Sequence, residues 1–229
     1  MMMTQSAAQI YLESVRGHFQ TEHFRSFRTF NFEDYRAEGR EAFGRLLVVN
    51  DETLLAERSH QIVVVRECRV ILLPLVGGFE FSDSIENLRF IDSGEAVIFT
   101  AQPGQTYTLT NPYEQEAINY LQIRMECDPD AVGDPFITRF DLAHRNTLLP
   151  IYRSARNDGN IYIGKYQGRE EGVFLKDTLN RGIFAFIIEG AFEVQNRLLE
   201  KRDGLSVSFV DEIEFEALSN DAVILILEV

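Results

Sequence analysis

The chain has 229 residues, 45% hydrophobic and 25% charged, and its 36 acidic against 22 basic residues leave a formal charge of −14. That length suits one large β domain or two of roughly 100–120 residues, and 18 Phe with 8 Tyr exclude a disordered polymer. The negative field, with no Lys/Arg cluster to override it, argues against a nucleic-acid partner and against an anionic membrane surface; the surplus acid reads first as solubility.

The amino terminus, MMMTQSAAQIYLESVRGHF, has no charged segment leading into an apolar one, so no secretory signal is expected. No apolar run is long enough for a membrane span. Two cysteines outside any C-x-x-C spacing, Cys68 and Cys127, read as free thiols in a reducing compartment, so the expected location is cytoplasmic. Strand signals then dominate. EAFGRLLVVND closes on an Asn-Asp turn, and QIVVV and CRVILLPLVGGFEF are rich in β-branched residues. LRFIDSGEAVIFTAQPGQTYTLTNP is cut by Ser-Gly, Pro-Gly and Asn-Pro, and EAINYLQIRMEC alternates well enough for a further strand. DPDAVGDP, acidic with two prolines, reads as a linker continued by FITRFDLAHRNTLLP.

After that the pattern restarts. RVILLPLVGGFEF…DSGEAVIFT has a counterpart in GIFAFIIEGAFEV…RDGLSVSFV: apolar strand, glycine, short strand, polar hairpin, then another apolar strand. The period is on the order of 110 residues, which predicts two similar β domains. The expected boundaries are 11–127, a linker at 128–150, and 151–229. No convincing helix is present, and short strands with regular turns predict an all-β sandwich or barrel.

The chain resembles the pirin-like bicupins. RGHFQTEHFRSFRTFNFEDY followed by AFGRLLVVNDETLLA is similar to that family's amino-terminal signature, SGEAVIFTAQPGQTYTLTNP to its second cupin motif, and RDGLSVSFVDEIEF to its carboxy-terminal cupin. The resemblance runs from Tyr11 onward and implies two tandem cupin barrels (double-stranded β-helices), the first being the functional one. It also implies a transition metal in the first barrel, held by His-x-His and a Glu in the first motif and a His in the second. Some members oxygenate quercetin-like flavonols. In a strand, residues i and i+2 share a face, so a His-x-His pair delivers two imidazoles to one site.

Aligned on Asn50-Asp51 and Gly77-Gly78, the two histidine positions of that pattern fall on Val63 and Val65 and the glutamate position on Arg69. The second-motif histidine falls on Tyr107, with Leu109 two residues on. Hydrocarbon offers no donor atom, and a guanidinium repels a cation. The expectation is therefore no metal, no cofactor and no catalytic constellation, with Val63, Val65 and Leu109 packing the interior of a vestigial pocket. Arg69 has two readings: it reaches solvent at the barrel mouth, or it faces a carboxylate or an anionic ligand inside. His60 points away from the Val63/Val65 face, and His18, His23, His60 and His144 read as surface or hydrogen-bonded histidines. Cys68 reads as core, Glu67 as a partner of Arg66 or Arg69, and Phe30 and Phe32 as core.

Three functions remain on these grounds. A metal-free cupin binding a small organic or anionic molecule comes first, a regulatory protein acting through a protein partner second, and a metal-dependent quercetinase-like dioxygenase last, since metal catalysis needs a held ion. GxSxG, Walker A and HExxH are absent. Exposed strand edges leave a homodimer open.

Overall fold

The computed structural model describes residues 7–83, 88–128, 134–154, 159–177 and 181–229. In chain order the strands are β1 (Ala8–Tyr11), β2 (Gly17–Gln20), β3 (Phe24–Arg28), β4 (Leu46–Leu54), β5 (Ser59–Val63), β6 (Cys68–Val76) and β7 (Phe79–Asp83). They continue with β8 (Leu88–Ile91), β9 (Glu95–Ala101), β10 (Thr106–Thr110), β11 (Ile118–Met125), β12 (Phe136–Arg139), β13 (Thr147–Arg153) and β14 (Asn160–Tyr166). The last are β15 (Glu171–Leu175), β16 (Ile183–Glu189), β17 (Phe192–Val194), β18 (Arg197–Leu199), β19 (Gly204–Val207), β20 (Glu212–Ala217) and β21 (Ala222–Glu228). Among the described residues no helix is long and apolar enough to cross a membrane.

The chain forms two compact units. The first, Gly17–Arg139, has a seven-stranded sheet in the order β12-β9-β6-β11-β4-β3-β2 and a four-stranded sheet β5-β10-β7-β8. Alternation decides which side chains meet. Cys68, Val70 and Leu72 of β6 and Val97, Phe99 and Ala101 of β9 share one core with Phe79 and Phe81 of β7 and Tyr107 and Leu109 of β10. Both sheets thus close on one interior. Each large apolar side chain buried there contributes about 1.5–3 kcal/mol.

The second unit, Phe140–Val229 with the segment ending at Arg16, repeats the plan. Its sheets run β1-β19-β16-β21-β14-β13 and β15-β20-β17-β18. Ile183, Ala185 and Ile187 of β16 pack with Ile224 and Ile226 of β21 and with Phe192 and Phe215 of the smaller sheet. Gly77 after β6 and Gly190 after β16 both hold positive φ, +70° and +75°, so equivalent turns close the two counterpart strands. The fold is all-β, built of two cupin barrels.

Two expected boundaries are corrected. Segment 128–150 is more than a linker: β12 pairs with β9, Phe136 opposite Ile98, and β13 pairs with β14, Thr147 opposite Lys165. Residues 129–133 of that segment lie outside the described residues. The amino-terminal segment belongs to the second unit, where β1 pairs antiparallel with β19, Ala8 opposite Val207 and Tyr11 opposite Gly204. Tyr11 is buried edge-on to the Phe184 ring at 5.6 Å, and Glu13 N donates to Asp203 Oδ1 at 2.7 Å. A four-residue strand whose partner lies almost a chain length away leaves no local signal.

Tyr11→Ala is expected to lower stability by about 3 kcal/mol through the cavity it leaves. Denaturant unfolding measures it; an unchanged midpoint would mean that β1 contributes nothing to the second unit.

Candidate functional site

The vestigial pocket expected at Val63, Val65, Arg69, Tyr107 and Leu109 is only partly assembled. β5 pairs with β10 so that Ile62 lies opposite Tyr107 and Val63 opposite Thr106. The period of two then puts His60, Ile62 and Val64 on the inward line with Tyr107 and Leu109. Ile62 and Val64 are buried, whereas Val63 is 56% and Val65 80% exposed. The expectation that the two valines line the interior is therefore corrected. Of the two readings of Arg69, the inward one is corrected: its neighbours Cys68 and Val70 enter the core, so Arg69 lies half-buried on the other face of β6, opposite Thr100 and Met125. Tyr107 and Leu109 are buried inside the barrel. Cys68 is also core, and burial raises its thiol pKa. Glu67 accepts from Gln102 Nε2 at 2.6 Å, while Arg66 pairs with Glu126.

A guanidinium does reach the interior, but from β11. Tyr120, Gln122 and Arg124 alternate along β11, and Tyr120 and Gln122 lie opposite Glu52 and Asn50 of β4. β3 adds Ser26 opposite Glu52 and Arg28 opposite Asn50. All of these are buried. The Tyr107 hydroxyl donates to Gln122 Oε1 at 2.5 Å and accepts from Arg124 Nη2 at 3.2 Å. Arg124 also donates to Gln122 Oε1 through Nε at 3.0 Å and Nη2 at 2.7 Å. Gln122 Nε2 donates onward to Glu52 Oε1 at 2.8 Å, an oxygen that also receives Ser26 Oγ and Asn50 Nδ2. Arg124 and Arg28 each lie 5.1 Å from the centre of the Phe32 ring, which closes the polar group on one side.

Burial raises the Glu52 carboxyl above its ordinary 4.5, although Tyr120, Gln122, Asn50 and the Arg124 charge all pull the other way. Glu52 Oε2 and the Tyr120 hydroxyl, a directly opposed pair, make no well-aligned hydrogen bond. Burial likewise raises the Tyr107 phenol, so it stays protonated as a donor. These residues do not suit a divalent cation. Oε1 of Gln122 is saturated by three donor contacts, the carboxyl is biased toward its neutral form, and a permanent positive charge sits among them. Among the described residues, no three His, Cys, Asp or Glu side chains converge where an ion could be shared.

His60 is half-buried and stacks on Phe24 with ring centres 3.8 Å apart. Burial, reinforced by the charge of His23, lowers its pKa to about 4. A surface cleft of 310 Å³ opens beside it between the β2–β3 turn (Gln20–Arg25) and Thr53, Leu55 and Ala117. None of the expected pocket residues lines that cleft.

Tyr107→Phe removes one donor to Gln122 and one acceptor for Arg124 and is expected to cost about 1–3 kcal/mol, read from chemical denaturation. His60 carries a pH signature. Its folded pKa lies below the ordinary 6.5, so the unfolded chain takes the proton first and stability is lost as pH falls from 6.5 toward about 4. His60→Gln is expected to flatten that slope in unfolding midpoints taken across this window; an unaltered slope assigns the acid sensitivity elsewhere.

Comparison with known proteins agrees with this architecture. A family profile described as the quercetinase C-terminal cupin domain matches residues 154–229. A curated Pasteurella multocida (strain Pm70) protein named "Putative quercetin 2,3-dioxygenase PM1685" is 21% identical over 224 residues, 93% of this chain and 95% of that one. A Pseudomonas aeruginosa protein named "Putative quercetin 2,3-dioxygenase PA1210" is 26% identical over 209 residues, 86% of this chain and 89% of that one. The crystal structure of YhhW from Escherichia coli superposes with a TM-score of 0.86 at 21% identity, covering 97% of both chains. Its complex with nickel(II), titled a bacterial pirin, gives 0.83 at 21% identity over 97% of this chain and 99% of that one. The carboxy-terminal unit thus matches the quercetinase C-terminal cupin model, the whole chain is similar to pirin-like bicupins, and the repeated two-barrel fold is that of a bicupin.

Proposed function

We propose that this bicupin works by binding, without a resident metal and without oxygenating a flavonol. The observation that carries the reading is Arg124: its guanidinium lies 3.2 Å from the Tyr107 hydroxyl, at the strand position where the resemblance places a ligand imidazole. The inward positions Ile62 and Val64 of β5 and Leu109 of β10 support it, since they carry no donor atom. A dioxygenase of the kind named for the Pasteurella relative, or a nickel site like that of the YhhW complex, needs several donors around an open coordination position.

The binding role has two versions. A small organic or anionic ligand inside the first barrel competes for space with packed rings: Phe81–Phe99 centres are 5.1 Å apart and Phe99–Tyr107 centres 5.2 Å. That packing favours a protein partner over a ligand inside the barrel. The free, buried thiol of Cys68 fits a reducing, cytoplasmic setting.

Elemental analysis of the purified full-length chain is expected to give Fe, Ni, Cu, Mn and Zn far below one ion per chain, with no quercetin consumption above the buffer rate. A stoichiometric metal, stripped by chelator with a fall in melting temperature, would overturn the reading.

A further inference from the structure

In the second unit, the outer face of the sheet β15-β20-β17-β18 combines opposed carboxylates with exposed apolar side chains. Glu171 lies directly opposite Glu216, and Glu216 directly opposite Glu193. One row further, Glu214 stands opposite Val173, and beyond it Glu212 opposite Leu175. Leu198 of the edge strand β18 lies opposite Glu193. Val173, Leu175 and Leu198 are 54%, 66% and 61% exposed. A groove of 210 Å³ runs between the Glu171–Val173 strand and the β17–β18 turn at Gln195 and Asn196. Phe209, 87% exposed, sits in the loop before β20, which is tied to the end of β15 where Lys176 N donates to Asp211 O at 2.9 Å.

Two features separate this face from an ordinary solvated surface. Like charges directly opposite across strands destabilise a sheet, and here three stand in one row, with Arg169 on Glu216 at 3.2 Å as the ion pair made by that row among the described residues. The counterpart sheet of the first unit shows that the acidity is not a general property of the chain. Its outer positions are Ser59, Gln61 and Val63 on β5, Thr106, Thr108 and Thr110 on β10, Glu80 and Ser82 on β7, and Leu88 and Phe90 on β8, so that face also carries exposed apolar groups, but Glu80 is the acid in these rows among the described residues. Exposed apolar groups rimmed by polar ones mark protein contact surfaces.

We propose that this face docks a basic, amphipathic segment of a partner protein, its Lys or Arg side chains on the carboxylates and its apolar side chains on Val173, Leu175 and Phe209. Charge complementarity selects the occupant. A second copy of this chain, itself carrying −14, is repelled. A divalent cation lacks a point where three of these carboxylates meet among the described residues. The proposal rests on the binding reading above and names the partner's chemistry.

The test is fluorescence anisotropy of a labelled peptide alternating Lys and Val, titrated with the full-length chain at low salt. Saturable binding is expected, weakened about tenfold or more in a Glu171→Gln/Glu193→Gln/Glu214→Gln variant and also in a Val173→Ser/Leu175→Ser variant that keeps every charge. The triple variant is expected to melt no lower than the wild type because repulsion is relieved, so lost binding cannot be ascribed to unfolding. Binding that is absent, or equal in the wild type and both variants, overturns the proposal. Either result leaves the metal content untouched, so failure here removes the partner without removing the metal-free reading.

Discussion

A buried guanidinium cannot shed its charge, so every atom around it must answer to that charge. In the first barrel Arg124 is answered by one amide oxygen and one phenol, and that pair fixes the rest. Gln122 must present Oε1 to Arg124 and Tyr107, which turns its Nε2 toward Glu52. Glu52 then receives Ser26, Asn50 and Gln122 on one oxygen and faces Tyr120 with the other. The chain of donors and acceptors spans β3, β4, β10 and β11, so it ties the two sheets of that barrel across their shared interior. A cation entering this place would meet a fixed positive charge and acceptor atoms already in use.

The two barrels show what one topology leaves free. Both set a large antiparallel sheet against a four-stranded one, and both turn at a positive-φ glycine after the counterpart strands β6 and β16. The second barrel fills its interior with hydrocarbon and rings, Phe192 and Phe215 among them. The first carries an ionic and hydrogen-bonded group through otherwise apolar strands. On the outside the contrast reverses in charge, with hydroxyls and apolar side chains on the first small sheet and opposed carboxylates on the second. Topology sets which positions face inward, and side-chain chemistry at those positions decides what a barrel can hold.

Much of the fold was legible because β-branched runs and turn glycines are local signals, and their repetition exposed the second barrel. Facing was harder. The landmarks Asn50-Asp51 and Gly77-Gly78 count residues along the chain, but the side on which Val63 emerges is set by the pairing of β5 with β10. The inward reading of Arg69 fails for the same reason, since Cys68 and Val70 claim the inward face of β6. Gln122 and Arg124 carried a usable signal: polar residues at alternate positions of INYLQIRM, matched by Asn50 and Glu52 in LLVVNDETL. In a half-exposed strand such residues face water, and nothing local reveals that these strands are buried on both faces. Tyr107 was found at its aligned position, but its partners come from β11, beyond any motif.

The central claim is that an arginine-centred hydrogen-bond group occupies the heart of the first barrel in place of an ion. Anomalous diffraction from crystals grown with excess nickel tests it most directly. The account predicts no anomalous peak among Glu52, Tyr107, Gln122 and Arg124, with the Arg124–Gln122 contacts intact. A strong peak ligated by Glu52 or Tyr107, with Arg124 displaced, would contradict it.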